Sequence, residues 1–306
     1  MTGIVIRVFG RYYTVKQDDV EYISVLRGRI KRTPEMRKFS NPVAVGDVVN
    51  FSINRDGLGV IESLVERKNF FSRKDKFKGK EDLIAANLDQ VIAVQSFAVP
   101  RLNLRFVDRI LVRGMSAGIP VVLCMNKLDI ADKGDEAYIS SYYRDSGLAI
   151  IFVSALTGEG IEKFRSMISG ARSLLIGSSG VGKSSLLNEV FSGLSVKTAE
   201  VSESTGKGRH TTTNVQMEQI NSSTELIDTP GVREFGIMHI EPHMLGTYFQ
   251  DFNEASKKCR FNPCSHDHEP DCEVRRLVDL EEIHPDRYVS YLNILYSLRE
   301  NIDNMY

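Results

Sequence analysis

"CMNKLD", residues 124–129, closes an apolar run and contains Asn126-Lys127-x-Asp129, a spacing suited to reading guanine. In an ordinary GTP-binding domain a phosphate loop comes well before such a motif. Here the stretch that fits a phosphate loop is "GSSGVGKSS", residues 177–185, and Gly177 lies 51 positions after Asn126. Either the four-letter match is accidental, or the domain has been cut and rejoined elsewhere. The chemistry around each motif decides between the two.

Gly177-Ser178-Ser179-Gly180-Val181-Gly182-Lys183-Ser184 fits G-x-x-x-x-G-K-[ST], with the apolar "RSLLI" before it and the helix-prone "SSLLNEV" after it. That strand–loop–helix setting is what the motif needs. Glycines let successive N–H groups point inward, and the helix N-terminus adds partial positive charge, with Ser185 continuing the loop into the helix. Lys183 is expected to reach the β- and γ-phosphates and the Ser184 hydroxyl to ligate Mg²⁺. Downstream, "LIDTPG" (226–231) ends another apolar run. It places Asp228 to hold Mg²⁺, directly or through water, and the Gly231 N–H to face the γ-phosphate. Between them "STGKGRHTTT" (204–213) has the character of a switch. Thr212 is the first choice to complete the Mg²⁺ shell, with Thr211 and Thr213 as open alternatives. Val232 stands where many Ras-like GTPases carry a water-orienting Gln, so unassisted turnover is expected to be slow. His210 is a candidate to orient the water, and an exposed histidine near RNA is the competing reading.

On the base side, the Asp129 carboxylate can accept from guanine N1–H and the 2-amino group, and Asn126 can contact the other edge. The Lys127 stem can cover the ring. Adenine would leave that carboxylate desolvated and unpaired, which penalises it heavily. The next apolar run ends in Ser154-Ala155-Leu156, whose N–H groups are placed to meet guanine O6. Two base-side and three phosphate-side elements therefore all fall at ends of strand-like runs. The chain order is base motif, base loop, phosphate loop, switch, magnesium motif. A circular permutation produces that order without disturbing the sheet, since the termini of compact domains often lie close together.

Outward from these motifs, the 306 residues suggest two or three domains. No apolar stretch is long enough to span a bilayer, and the start lacks the layout of a secretion signal, so a cytoplasmic location is expected. Residues 1–70 read as five short strands, "GIVIRVFG", "RYYTVKQ", "VEYISVLRG", "VGDVVNFSI" and "GVIESLVE", the signature of a small all-β barrel. The barrel's loop 27–38 is rich in Arg and Lys, and "RKNFFSRKDKFKGKED" reads as a basic linker. Residues 1–80 hold 17 Lys and Arg against 9 Asp and Glu, whereas the remainder holds 22 against 31. A basic end on a chain of net charge −1 suggests a polyanionic partner such as nucleic acid. From about residue 88, apolar runs alternate with helices expected near 104–117, 131–146, 158–169 and 182–192, which implies a parallel sheet. Beyond residue 236 the chain turns helical around Cys259, Cys264, His266 and Cys272. Three thiolates and one imidazole in fourteen residues indicate a closed, structural Zn²⁺ site, with His268 an alternative to His266. The tail "RYVSYLNILYSLRENIDNMY" suits an amphipathic helix. Cys124, in an apolar run, reads as a core residue.

The strings "GSSGVGKSSLLN", "KGRHTTT" and "DTPGVREFG", in this permuted order, resemble the ribosome small-subunit-dependent GTPase family (RsgA, also called YjeQ or YloQ) over essentially the whole chain. The resemblance implies an RNA-binding OB barrel at 1–70, a circularly permuted P-loop GTPase domain at 71–235 and a zinc domain at 236–306. Its Cys-x₄-Cys-x-His pattern favours His266. It further implies hydrolysis of GTP to GDP, stimulated by the small ribosomal subunit and its 16S rRNA late in subunit maturation, by a cytoplasmic monomer. Two other readings stand beside it. One is a nucleotide-gated binding module for another RNA, with incidental hydrolysis. The other is a metabolic kinase, which lacks an acceptor-site motif and leaves the guanine motif unexplained.

Overall fold

The computed structural model describes residues 1–28, 30, 34–75, 80–192, 215–229, 231–232 and 235–303. The N-terminal strands are β1 (Thr2–Phe9), β2 (Tyr12–Gln17), β3 (Val20–Leu26), β4 (Val48–Ile53) and β5 (Gly59–Leu64). β1–β2, β2–β3 and β4–β5 pair antiparallel, β3 and β5 pair parallel, and β1 pairs with β4 to close the barrel. Its core holds Val5, Tyr13, Val15, Val49, Phe51 and Ile61, β-branched and aromatic residues suited to a pleated inner face. Between β3 and β4 lies the short helix α1 (Pro34–Arg37), inside the basic segment.

The expected basic linker is in part a strand. β6 (Phe70–Lys74) pairs antiparallel with β7 (Glu81–Ala86) in a separate hairpin. Its lysines and arginines mask a buried stretch: Phe71 and Ser72 are buried, and the Arg113 guanidinium donates to Ser72 Oγ at 2.8 Å and to the Phe70 carbonyl at 3.2 Å. The signal was weak because a neighbouring helix, rather than a longer apolar run, completes this strand's packing.

The central sheet contains β8 (Gln90–Ser96), β9 (Val121–Asn126), β10 (Ala149–Phe152), β11 (Arg172–Ile176), β12 (Gln216–Gln219) and β13 (Glu225–Asp228). Its order is β10-β9-β8-β11-β13-β12, and every pair but β13–β12 is parallel. The chain runs outward from β8 to β10, returns to the centre at β11, and then builds the other side. The crevice between β8 and β11 is thus a switch point, where open α/β sheets bind ligands at the carboxyl ends of their strands. β12 also pairs with β1 at Gln216 and Arg7, so barrel and central sheet form one continuous sheet.

Helices α2 (Leu104–Ser116), α3 (Asp135–Tyr142), α4 (Ile161–Ile168) and α5 (Lys183–Ser192) flank this sheet. α3 is shorter than the expected 131–146 because the polar "DKGDE" breaks it: a 3-10 turn at Leu128–Ile130 comes first, and Gly134 caps α3 at φ +104. Cys124 lies fully buried in the core, as its apolar setting implied.

After the sheet come α6 (Asn253–Ser256), α7 (Glu273–Asp279) and α8 (Pro285–Asp303). α8 buries one stripe, Arg287, Ser290, Tyr291, Ile294, Leu295 and Leu298, at helical spacing. Arg287 bonds Asp108 of α2 and lies 3.1 Å from Asp251, with all three side chains shielded from solvent. Among the described residues no helix is long and apolar enough to cross a membrane.

Candidate nucleotide pocket and metal centre

β11 ends at Ile176, and the loop 177–182 then curls into α5. Gly182 adopts φ +93, and a Cβ there would fall 2.2 Å from Asn126 Nδ2, so only glycine fits. Lys183 folds back into the loop and donates to the carbonyls of Gly177 at 2.8 Å and Ser178 at 3.2 Å. Burial lowers its pKa, and the Asp228 carboxylate pulls it back up. Ser184 and Ser185 stand exposed at the start of α5, while Ser179 and Gly180 form the loop's outer rim.

Asp228 ends β13, level with Leu175 of β11. Burial raises its carboxyl to about 6, partly offset by Lys183. Its Oδ1 is buried without a hydrogen-bond partner among the described residues. A desolvated oxygen beside a phosphate loop is a donor suited to a hard cation. Gly231 packs against Ser179 so closely that a Cβ would lie 2.6 Å from the Ser179 N. Next to it the Val232 N–H donates to the Gly177 carbonyl at 3.1 Å, and the Val232 side chain is buried. The magnesium-motif loop therefore lies directly on the phosphate loop. His210, Thr211, Thr212 and Thr213 lie outside the described residues.

The base-side motif reaches the same place. β9 delivers Asn126, whose Nδ2 donates to the Val181 carbonyl at 2.9 Å while its Oδ1 accepts from the Ala155 N–H at 3.1 Å. One buried amide thus ties the phosphate loop to the loop after β10. The sequence reading put Asn126 on a guanine edge; here its amide joins the two loops. Lys127 occupies the left-handed region at φ +63, which turns the chain so that Asp129 faces back toward Ser154. The Ser154 hydroxyl donates to Asp129 Oδ1 and accepts from the Thr157 N–H.

Two of the expected donors to guanine O6 have internal partners. The Ser154 N–H goes to the Glu159 carbonyl at 2.9 Å and the Ala155 N–H to Asn126. That leaves the Leu156 N–H, on an exposed residue, as the donor of this turn with no internal partner among those described.

Sequence reasoning missed the loop after β8. Lys127 Nζ donates to the Val99 carbonyl at 2.5 Å, and Pro100 Cδ would lie 3.7 Å from a Cβ on Gly180. "SFAVPRLN" therefore walls the pocket between the base and phosphate loops. Its signal was its position at the carboxyl end of a fully buried strand next to β11.

The cysteine cluster converges as its spacing implied. The ligand atoms of Cys259, Cys264, His266 and Cys272 all lie within 4.8 Å of one another. Cys259 and Cys272 sulfurs are 3.9 Å apart, and His266 Nδ1 lies 3.6 and 3.4 Å from them. Tetrahedral bonds of ~2.3 Å to sulfur and ~2.0 Å to nitrogen give edges of about 3.8 and 3.5 Å, so the donor set fits Zn²⁺. The outer His266 nitrogen, Nε2, meets Ser256 Oγ at 3.1 Å, and that hydroxyl donates to the Phe252 carbonyl, which fixes the ring. His268 is exposed and pairs with Asp267 instead.

Comparison with known proteins agrees with this geometry. The RsgA GTPase family model matches residues 64–238, and the RsgA N-terminal domain model matches residues 2–61. The chain belongs to the RsgA GTPase family. Small ribosomal subunit biogenesis GTPase RsgA of Bacteroides fragilis is 37% identical, covering 98% of both chains. Its namesake in Chlorobaculum parvum is 38% identical over 98% of this chain and 99% of its own. Among solved structures, YjeQ from Thermotoga maritima aligns with a TM-score of 0.71 at 31% identity, covering 97% of this chain and 98% of its own. YloQ, described as a circularly permuted GTPase, aligns with a TM-score of 0.66 at 26% identity, over 98% and 95%. RsgA-family membership accounts for the base motif preceding the phosphate loop: the sheet order is that of one nucleotide-binding domain, and only the chain order is permuted.

Proposed function

We propose that this chain hydrolyses GTP to GDP and phosphate during biogenesis of the small ribosomal subunit, and that the bound subunit stimulates it. The observation that carries the reading is the Asn126 amide, which ties the phosphate loop to the base loop and makes one pocket of motifs 51 positions apart. The subunit enters through the names of relatives that match over nearly the full chain.

In this reading the backbone N–H groups of 177–185 cradle the phosphates. Lys183 exchanges its two carbonyl contacts for the β- and γ-oxygens. Asp129 and the Leu156 N–H select guanine, and the Lys127 stem covers the ring. Ser184 and Asp228 hold Mg²⁺, which when bound neutralises developing phosphate charge. Thr212 completes that shell, Gly231 faces the γ-phosphate, and His210 orients the attacking water. Val232 is apolar, buried and tied to the phosphate loop, so the water-orienting group must come from the switch or from the partner. That accounts for dependence on the subunit.

The division of labour follows three units: an RNA-binding barrel at 1–70, the GTPase at 71–235 and the zinc unit at 236–306. The barrel's segment 27–38 supplies cations for 16S rRNA phosphates. The zinc ion staples a region with little core of its own. The protein works as a cytoplasmic monomer.

GTP turnover is measured with and without purified small subunits, alongside GTP and ATP binding. Strong stimulation and guanine preference are expected. Equal rates in both conditions, or equal affinity for ATP, would refute the proposal.

A further inference from the structure

A cleft of about 940 Å³ opens where hairpin β6–β7, helix α2 and helix α8 meet, away from the nucleotide pocket. Its charged groups are unevenly matched. Arg73 is paired with Asp82 at 3.1 Å, and Asp75 accepts from Ser40 Oγ at 2.7 Å, so both carboxylates are committed. On α2, Arg105 and Arg109 line the cleft with no carboxylate at ion-pair distance among the described residues. Being four residues apart on one helix, they share a face with Cβ atoms about 6 Å apart. Arg109 is half-buried, and its two terminal nitrogens share one hydroxyl, Ser297 Oγ, at 3.2 Å. Burial depresses its pKa, and the neighbouring Asp108 carboxylate offsets this only in part.

We infer that this cleft binds the phosphate backbone of a single-stranded RNA segment. Two guanidinium forks one helical turn apart match successive phosphates, which planar donors grip bidentately. The mouth carries Asn103, whose Oδ1 caps α2 and whose Nδ2 can donate to a base edge, and Asn293, whose Nδ2 donates to the Val289 carbonyl at 2.7 Å and whose Oδ1 can accept. The floor is apolar, formed by edges of Phe106, Phe235 and Ile294, against which a ribose can rest. An acidic peptide would satisfy the arginines but make poor use of the amides. On the hairpin wall Arg73 and Lys74 are balanced by Asp75 and Asp82, so the excess positive charge of the cleft comes from α2. One wall, Phe235–Gly236, follows Asp228 by seven residues, and its Gly236 carbonyl accepts from the Lys74 N–H at 2.9 Å. An RNA strand seated there touches the segment that leaves the magnesium motif. The inference rests on the RNA-facing part of the proposed function, not on hydrolysis.

The test uses the full-length chain and short oligouridine carrying 4-thiouridine. Cross-links are expected in 73–75, 103–109 and 290–297. In anisotropy titrations, the Arg105→Gln/Arg109→Gln variant should lose about tenfold in affinity at low salt. Its log–log salt slope should fall by about 1.4, roughly 0.7 per lost cation on a single strand. Arg105→Gln alone, at an exposed position, should give half that slope change and covers the case in which Arg109→Gln disturbs the α2–α8 contact. An unchanged slope, or cross-links confined to 27–38, overturns the inference. So does displacement by polyglutamate without cleft cross-links, which would indicate a protein partner. Basal GTP turnover of Arg105→Gln should stay at the wild-type level. If wild-type chain binds oligouridine in the cleft but its turnover ignores small subunits, the proposed function fails while this inference stands.

Discussion

Replacing Asp228 by Asn should make the nucleotide-free protein more stable while abolishing Mg²⁺-dependent turnover. The reasoning starts from burial: the Asp228 carboxyl is raised to about 6 from an ordinary value of 3.8, even with Lys183 nearby. A carboxyl whose folded pKa is raised favours its protonated form in the native state. The penalty is therefore absent at pH well below 3.8, builds as pH rises toward 6, and is full above it. At pH 7 the shift corresponds to about 3 kcal/mol, and at pH 5 to about half that. Asparagine has the same shape without the charge, so Asp228→Asn should recover most of it. Urea unfolding in magnesium- and nucleotide-free buffer at pH 5, 7 and 8 measures this, with zinc left in place. A gain that fails to grow from pH 5 to pH 7, or a variant less stable than wild type, would refute the claim that Asp228 is a strained, waiting cation ligand. Adding GTP and Mg²⁺ should then stabilise wild type and leave the variant unmoved.

Asn126→Ala removes both amide bonds between the base and phosphate loops, about 2 kcal/mol, and should weaken GTP and GDP binding together by ~30-fold in equilibrium titrations. Arg287→Met leaves Asp108 and Asp251 buried without their cation and should cost about 3–5 kcal/mol in denaturant unfolding; adding Asp108→Asn should restore part of it. Metal analysis should find one zinc per chain, lost in Cys272→Ala and His266→Ala but retained in His268→Ala. Gly182→Ala, strained at φ +93 and driven into Asn126, should weaken nucleotide binding more than it lowers the unfolding midpoint.

Much of the architecture was legible because its signals are local. The five barrel strands announce themselves by alternation and turn residues, and β8 to β11 and β13 as apolar runs. The phosphate loop, the magnesium motif and the cysteine cluster are short strings whose spacing follows from backbone and coordination geometry. Hairpin β6–β7 was less legible, since its packing comes from Arg113, some forty residues away. α3 was overextended because the reading ran across Gly134, which precedes it, and beyond its end at Tyr142.

The sequence alone determined that a guanine motif and a phosphate loop occur in reversed order at strand ends, and that three thiolates and an imidazole can close on one metal. Each follows from chemistry written within a few residues. Only the tertiary structure showed that the Asn126 amide braces the two loops. It likewise placed the Val99–Pro100 loop as a wall, joined barrel to sheet through β1 and β12, and seated Arg287 between two carboxylates. Those partners are set by which distant surfaces meet in the packed core, and no local periodicity encodes that choice.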